Sequence, residues 1–175
     1  MELFYNDDAA HVEFLPQLPS LTALELFCHN EEQWHVPADA LLASLVLCNG
    51  LTTLSLDCGF SSAQWTALFA NLTKLRTLEI RQGLDSLRCF ASGPITQSLE
   101  QLTIRYLELT LPPSELLYLY ALRRIRSLHL DRCFSTKDCP PPTEPIRWEQ
   151  KRISKMRNGC SMDVRLQAVQ AETFV

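Results

Sequence analysis

One short pattern, present five times, constrains the fold of this chain more than any other feature. In each copy an apolar residue is followed by two variable residues, a second apolar residue, one variable residue and a third apolar residue. The copies are LTALEL from Leu21, LTTLSL from Leu51, LRTLEI from Leu75, LEQLTI from Leu99 and IRSLHL from Ile125. They begin 30, 24, 24 and 26 residues apart. This regular spacing indicates similar structural units that stack on one another.

The last two apolar positions of each copy have the spacing of a β-strand. In the second copy, Leu54 and Leu56 point to one side of the strand and Ser55 points to the other. Most copies are followed by a segment with helical spacing, such as the one that contains Trp65 and Leu68. A single strand–helix unit cannot bury its own apolar face. We therefore predict an α/β fold in which the strands form one parallel sheet with helices behind it.

With these five motifs, residues 12–134 resemble the leucine-rich-repeat family, in its intracellular, ribonuclease-inhibitor-like or cysteine-containing types. The resemblance implies a solenoid of about five repeats plus a partial N-terminal one, with a curved parallel β-sheet and helices on the convex side. Many members place Asn or Cys at the ninth motif position. Here that position is His29, Gly59, Gly83, Leu107 and Cys133. We therefore expect the backbone polar groups of the turns to form hydrogen bonds with groups other than a ladder of asparagines.

Leucine content marks a boundary near residue 134. The chain has 31 leucines, and only Leu166 follows Leu130. The segment STKDCPPPTEP contains four prolines, which favours an extended linker. Residues 146–159 are predicted to form a short basic helix. We interpret residues 1–134 as the solenoid, and residues 135–175 as a Pro-rich linker and a partly disordered basic C-terminal tail.

Charge and cysteine usage indicate a protein of the cell interior. The net charge is −4, and residues 1–50 contain eight acidic residues and no Lys or Arg. This balance argues against nucleic acid or a membrane surface as the partner. The acidic start of the chain lacks the basic residues of an export signal. The seven cysteines form no C-x-x-C pair, which predicts free thiols in a reducing compartment. We expect a cytoplasmic protein, with the nucleus as the alternative.

The strand face that does not enter the core is the predicted binding surface. Arg and Tyr anchor many protein interfaces because each buries a large area and makes directed hydrogen bonds. The candidate partner-binding residues are Glu79, Arg81, Arg105, Tyr106, His129, Asp131 and Arg132. Arg81 and Arg105 hold the same motif position in adjacent repeats, so we expect them to stand side by side. These residues predict that the partner is another protein with an acidic surface.

No group of residues has a recognisable catalytic or metal-binding spacing. His29 and His35, with the two glutamates between them, favour a solvated loop over a metal site. His129 and Cys133 lack a third residue that would orient them as a nucleophile pair. We therefore expect no enzyme activity, no catalytic residues, no cofactor, no metal and no small-molecule substrate. The first hypothesis is a non-catalytic protein–protein interaction module.

The resemblance leaves one alternative open. Many intracellular arrays of this kind form the substrate-recognition part of F-box ubiquitin ligases. We find no F-box-like helical segment before the repeats. This alternative therefore requires a truncated chain or an adaptor site elsewhere.

Overall fold

The computed structural model describes residues 2–4, 12–18, 20–27, 37–105, 112–134, 149–156 and 159–165. The strands are β1 (Glu2–Phe4), β2 (Ala23–Phe27), β3 (Thr53–Leu56), β4 (Thr77–Ile80), β5 (Gln101–Arg105), β6 (Ser127–Phe134), β7 (Glu149–Met156) and β8 (Gly159–Arg165). The helices are α1 (Ala38–Leu45), α2 (Ser62–Phe69) and α3 (Ile95–Ser98), with 3₁₀ segments at Val12–Gln17, Leu87–Phe90 and Pro113–Ala121. Within these ranges, no helix combines the length and the apolar character that crossing a membrane requires.

Strands β2 to β6 form a five-stranded, all-parallel sheet in chain order. Strand β1 adds to its first edge, also in parallel. The register places equivalent motif positions opposite one another, so that Leu54 pairs with Leu78 and Leu78 with Leu102. The predicted α/β class with a parallel sheet and helices is therefore confirmed.

The leucine rows form the core between the sheet and the segments behind it. Leu24, Leu54 and Leu102 are fully buried, and Leu78 is 1% exposed. Behind them four aromatic rings are in successive contact. The distance between ring centroids is 5.2 Å for Phe60 and Trp65, 5.4 Å for Trp65 and Phe69, and 5.2 Å for Phe69 and Phe90. This chain of rings connects α2 with the next 3₁₀ segment, so neighbouring units share one continuous apolar layer.

Helix α2 begins with a capping box. The Gln64 backbone N–H donates to Ser61 Oγ at 3.3 Å, and the Ser61 N–H donates to Gln64 Oε1 at 3.0 Å. A carboxylate from the next unit also accepts at this end, because Ser62 N–H donates to Asp85 Oδ1 at 2.8 Å. Glu115 Oε2 accepts from Leu87 N–H at 2.8 Å in the same way. Acidic side chains from the following unit thus satisfy N–H groups that the helix itself leaves without acceptors.

Two ninth-position glycines bring adjacent turns into close contact. Gly83 has a φ of +74°, and a Cβ at this residue would overlap Gly59 Cα and lie 2.8 Å from Gly59 C. Neither Asn nor Cys fits at Gly83 without displacing the neighbouring backbone. The asparagine ladder is therefore sterically excluded at this pair of turns.

The C-terminal segment departs from the sequence prediction. Glu149–Met156 is strand β7 and pairs antiparallel with β8, which pairs antiparallel with β6. The short basic helix predicted for residues 146–159 is wrong over this strand. An edge strand such as β6 presents unpaired N–H and C=O groups, and added strands satisfy them. The division of the chain at residue 134 stays a prediction.

The leucine rows predict the effect of truncation in the core. Leu54→Ala or Leu78→Ala should each lower the free energy of unfolding by about 2–5 kcal/mol, because each leaves a cavity in a packed row. Leu47→Ala is the control: this side chain is 63% exposed. Urea unfolding measures all three. Wild-type stability of both core variants would contradict this register.

The glycine contact predicts a second, matched pair of variants. Gly93→Ala should cost about 1–2 kcal/mol, because its φ of +84° is strained for alanine but nothing lies within 4 Å of the new Cβ. Gly83→Ala should cost about 1–3 kcal/mol more, since it adds the overlap with Gly59. Equal stabilities of the two variants in thermal unfolding would show that the turns do not touch.

Candidate functional site

The polar face of the parallel sheet carries two rows of side chains. The first row follows the register of the strands and contains Glu25, Ser55, Glu79, Thr103 and His129. The second row lies two residues further along each strand and contains Asp57, Arg81, Arg105 and Asp131. The pairing continues into the second row, because Arg81 N–H donates to Leu56 O at 3.0 Å and Arg105 is in register with Asp131. The charges therefore follow a fixed order across the strands.

The centre of this face is a carboxylate between two guanidinium groups. We name it the Glu79 cluster, and it consists of Glu79, Arg81 and Arg105. Arg81 Nε–H donates to Glu79 Oε1 at 3.0 Å. Arg105 Nε lies 3.1 Å from the same oxygen, but without the alignment of a hydrogen bond. One carboxylate thus offsets two like charges that the parallel pairing brings together.

The cluster remains open to solvent. The Arg81 and Arg105 side chains are 36% and 40% exposed, whereas that of Glu79 is 23% exposed. Among the described contacts of Arg105, only Nε faces a carboxylate. The terminal nitrogens of this guanidinium therefore offer a fork of donors that matches a carboxylate.

Acidic groups flank the cluster on both sides. Asp57 and Asp131 occupy the ends of the second row, and both side chains are half-buried and engaged in contacts. Read across the strands, the second row is acidic, basic, basic and acidic. With Glu25 and Glu79 of the first row, this gives the face a formal charge of −2. The face therefore presents guanidinium donors at its centre and carboxylate acceptors at its two ends.

Several sequence predictions can now be placed. Glu79, Arg81 and Arg105 lie together, and His129 and Asp131 lie on the adjacent strand β6. Tyr106 lies outside the described residues. Arg132 is in strand β6, but its side chain is outside the description, as is that of Cys133. The loop of His29 and His35 also falls outside it.

Ser55 is a feature of this face that the sequence does not single out. It is 4% exposed, although it belongs to the polar row, and its neighbours across the strands, Glu25 and Glu79, are half-buried. Its Oγ has no hydrogen-bond partner within the described part of the chain. A buried hydroxyl without a partner keeps the cost of desolvation without compensation. Only the tertiary structure reveals this, because serine is common on solvated strand faces.

The described thiols are not poised for nucleophilic chemistry. Burial and the nearby charge of Asp57 raise the pKa of Cys58 to about 12. Burial also raises the pKa of Cys89 and that of Cys48. The thiolate is the reactive form of cysteine, so these three thiols stay protonated at neutral pH. In the described ranges, no three residues among His, Cys, Asp and Glu form a group that fits a metal ion.

Comparison of the sequence with protein-family models and with curated proteins gives no match.

Replacement of serine by alanine should change the free energy of unfolding in opposite directions at Ser55 and Ser61. Ser55→Ala should raise the free energy of unfolding by about 1 kcal/mol, because it removes a buried group that lacks a hydrogen bond. Ser61→Ala should lower it by about 1 kcal/mol, because it removes the cap of α2. Chemical denaturation of both variants tests this. A loss of stability in Ser55→Ala would show that its hydroxyl has a partner.

Proposed function

We propose that this chain is a leucine-rich-repeat solenoid and acts as a non-catalytic protein-interaction module, which binds another protein through the polar strand face. Support for the solenoid comes from the five motif copies, since four successive strand pairs keep equivalent motif positions in register. A repeat array presents such a face as a continuous surface, which suits an extended protein partner.

The observation that carries the proposed function is the Glu79 cluster. It places two guanidinium groups side by side on an otherwise mixed-charge face, held by a single carboxylate oxygen. A partner carboxylate that approaches Arg105 meets donors in a planar fork, and this arrangement is stronger and more specific than a contact with a single ammonium group. The cluster thus fits an acidic residue of a partner protein, with polar donors of that partner against Asp57 and Asp131.

The cluster contributes little to folding. Its ion pairs are partly exposed to solvent, and exposed pairs contribute only about 0–1 kcal/mol each. Arginine side chains held at a solvent-open face for so small a gain are well placed for recognition. This distinguishes the cluster from the leucine rows, whose truncation removes several times more stability.

Charge reversal separates binding from folding. Arg81→Glu combined with Arg105→Glu should abolish partner capture in affinity purification from a native extract, while the melting temperature falls by only a few degrees. Adding Glu79→Arg to this double variant restores the ion pairs with their signs exchanged, because one cation at position 79 then lies between two carboxylates. This triple variant should regain the melting temperature and still fail to capture the partner.

The single variant Arg88→Glu is the control, because it reverses one exposed arginine of the Leu87–Phe90 segment and should leave capture unchanged. The single variant Arg81→Glu has the same net charge as Arg88→Glu and should weaken capture of the partner. Capture at the wild-type level by the folded double variant would place the binding site elsewhere. A cullin adaptor among the captured proteins would favour the F-box alternative.

A further inference from the structure

A second charged surface lies at the amino ends of strands β4 to β6, away from the polar face. The turns that precede these strands carry five exposed cations and one half-buried carboxylate. We name this surface the amino edge; it consists of Lys74, Arg76, Glu100, Arg123, Arg124 and Arg126. These residues give the amino edge a charge of +4 at neutral pH in a chain whose net charge is −4. The remainder of the chain therefore carries −8.

Backbone hydrogen bonds link Arg76, Glu100 and Arg126 in this order across the three strands. Glu100 N–H donates to Arg76 O at 2.8 Å, and Arg126 N–H donates to Glu100 O at 2.7 Å. The side chains follow the same order: Glu100 Oε1 lies 3.5 Å from Arg76 Nη1, and Glu100 Oε2 lies 3.8 Å from Arg126 Nη1. The chain's own carboxylate thus lies between two guanidinium groups that remain 66% and 73% exposed.

The other three cations are left to solvent. Lys74, Arg123 and Arg124 are exposed, and none forms an ion pair with a carboxylate of the described residues. The backbone of Arg123 is fixed, since its N–H donates to Thr96 O at 2.9 Å. Three cations with uncommitted charge therefore stand on a rigid turn-and-strand edge beside a carboxylate-binding pair.

Acidic side chains collect at the opposite ends of the strands. Five carboxylates lie on the connections after the strands, at the starts of the helical segments or at the end of the polar face: Asp39, Asp57, Asp85, Glu115 and Asp131. Several of these are engaged as helix caps or in contacts. Positive charge is thus separated from these five carboxylates along the strand direction, and the amino edge, with Glu100 as its one carboxylate, keeps an excess of positive charge.

We propose that the amino edge binds a short acidic polypeptide segment, at a site separate from the polar face. The way Arg76 and Arg126 hold Glu100 shows that the edge accommodates a carboxylate between neighbouring guanidinium groups. Lys74, Arg123 and Arg124 supply the charges for further carboxylates. The edge spans three strands, or about 10 Å between its outer strands at the usual spacing of about 4.8 Å.

The size of the edge and the charge around it select a short acidic peptide over a nucleic acid. Duplex nucleic acid carries about one charge per 1.7 Å of its axis, and a long strand extends well past the edge. It then approaches the acidic remainder of the chain, within the screening length of about 8 Å at physiological salt. A short peptide segment neutralises the edge without reaching those charges.

A labelled tetraglutamate peptide, which spans about 13 Å when extended, provides the test, with tetrauridylate as the competing ligand. The full chain should bind the peptide at low salt, and binding should weaken as salt rises. Arg123→Glu with Arg124→Glu should weaken peptide binding by about tenfold or more, since both reversed charges lie at the edge. Arg81→Glu with Arg105→Glu changes the net charge equally and should weaken it by less than about threefold.

The outcomes separate this proposal from the one for the polar face. Equal losses in the two double variants, or no peptide binding by the wild type, would overturn it. Tighter binding of tetrauridylate than of the peptide would assign the edge to nucleic acid instead. Loss of partner capture without loss of peptide binding in the Arg81 and Arg105 variant would support both sites. If the reversed edge variant does not fold, Arg123→Gln with Arg124→Gln tests the same residues.

Discussion

In-register burial of the leucine rows is the constraint on which the rest of this structure depends. No strand of four or five residues is stable by itself, because its apolar side chains have nothing to pack against. Leu54 is buried because Leu24 and Leu78 occupy the same position on either side of it. The ring chain from Phe60 to Phe90 continues this dependence behind the sheet. Each unit is thus stable only through its neighbours.

The same register brings like charges together and requires them to be balanced. Equivalent positions on adjacent parallel strands lie about 4.8 Å apart, so arginines that recur at one motif position repel one another. The structure places a carboxylate between two arginines twice, for adjacent strands at the polar face and for strands two apart at the amino edge. Glu79 lies between Arg81 and Arg105 on the polar face, and Glu100 lies between Arg76 and Arg126 at the amino edge. Arg76 and Arg126 at the amino edge are more exposed than Arg81 and Arg105 on the polar face.

The connections between units use two kinds of contact. Asp85 and Glu115 accept hydrogen bonds from backbone N–H groups of the preceding unit. Gly83 allows its turn to contact the turn of Gly59. The buried rows therefore keep the strands evenly spaced, whereas N–H groups at the starts of α2 and of the Leu87–Phe90 segment are satisfied by carboxylates of the following unit.

The sequence alone determined the strands and the parallel sheet, because the period-two apolar pattern that specifies a strand acts over a few residues. It also placed Arg81 and Arg105 on one face. The tertiary structure decided which carboxylate lies between them, that Ser55 is buried with no hydrogen-bond partner among the described residues, and that Glu149–Met156 is a strand. These outcomes depend on residues far apart in the chain and on the open edge of β6. Local preference cannot specify them, since only the stacked units bring those groups within reach.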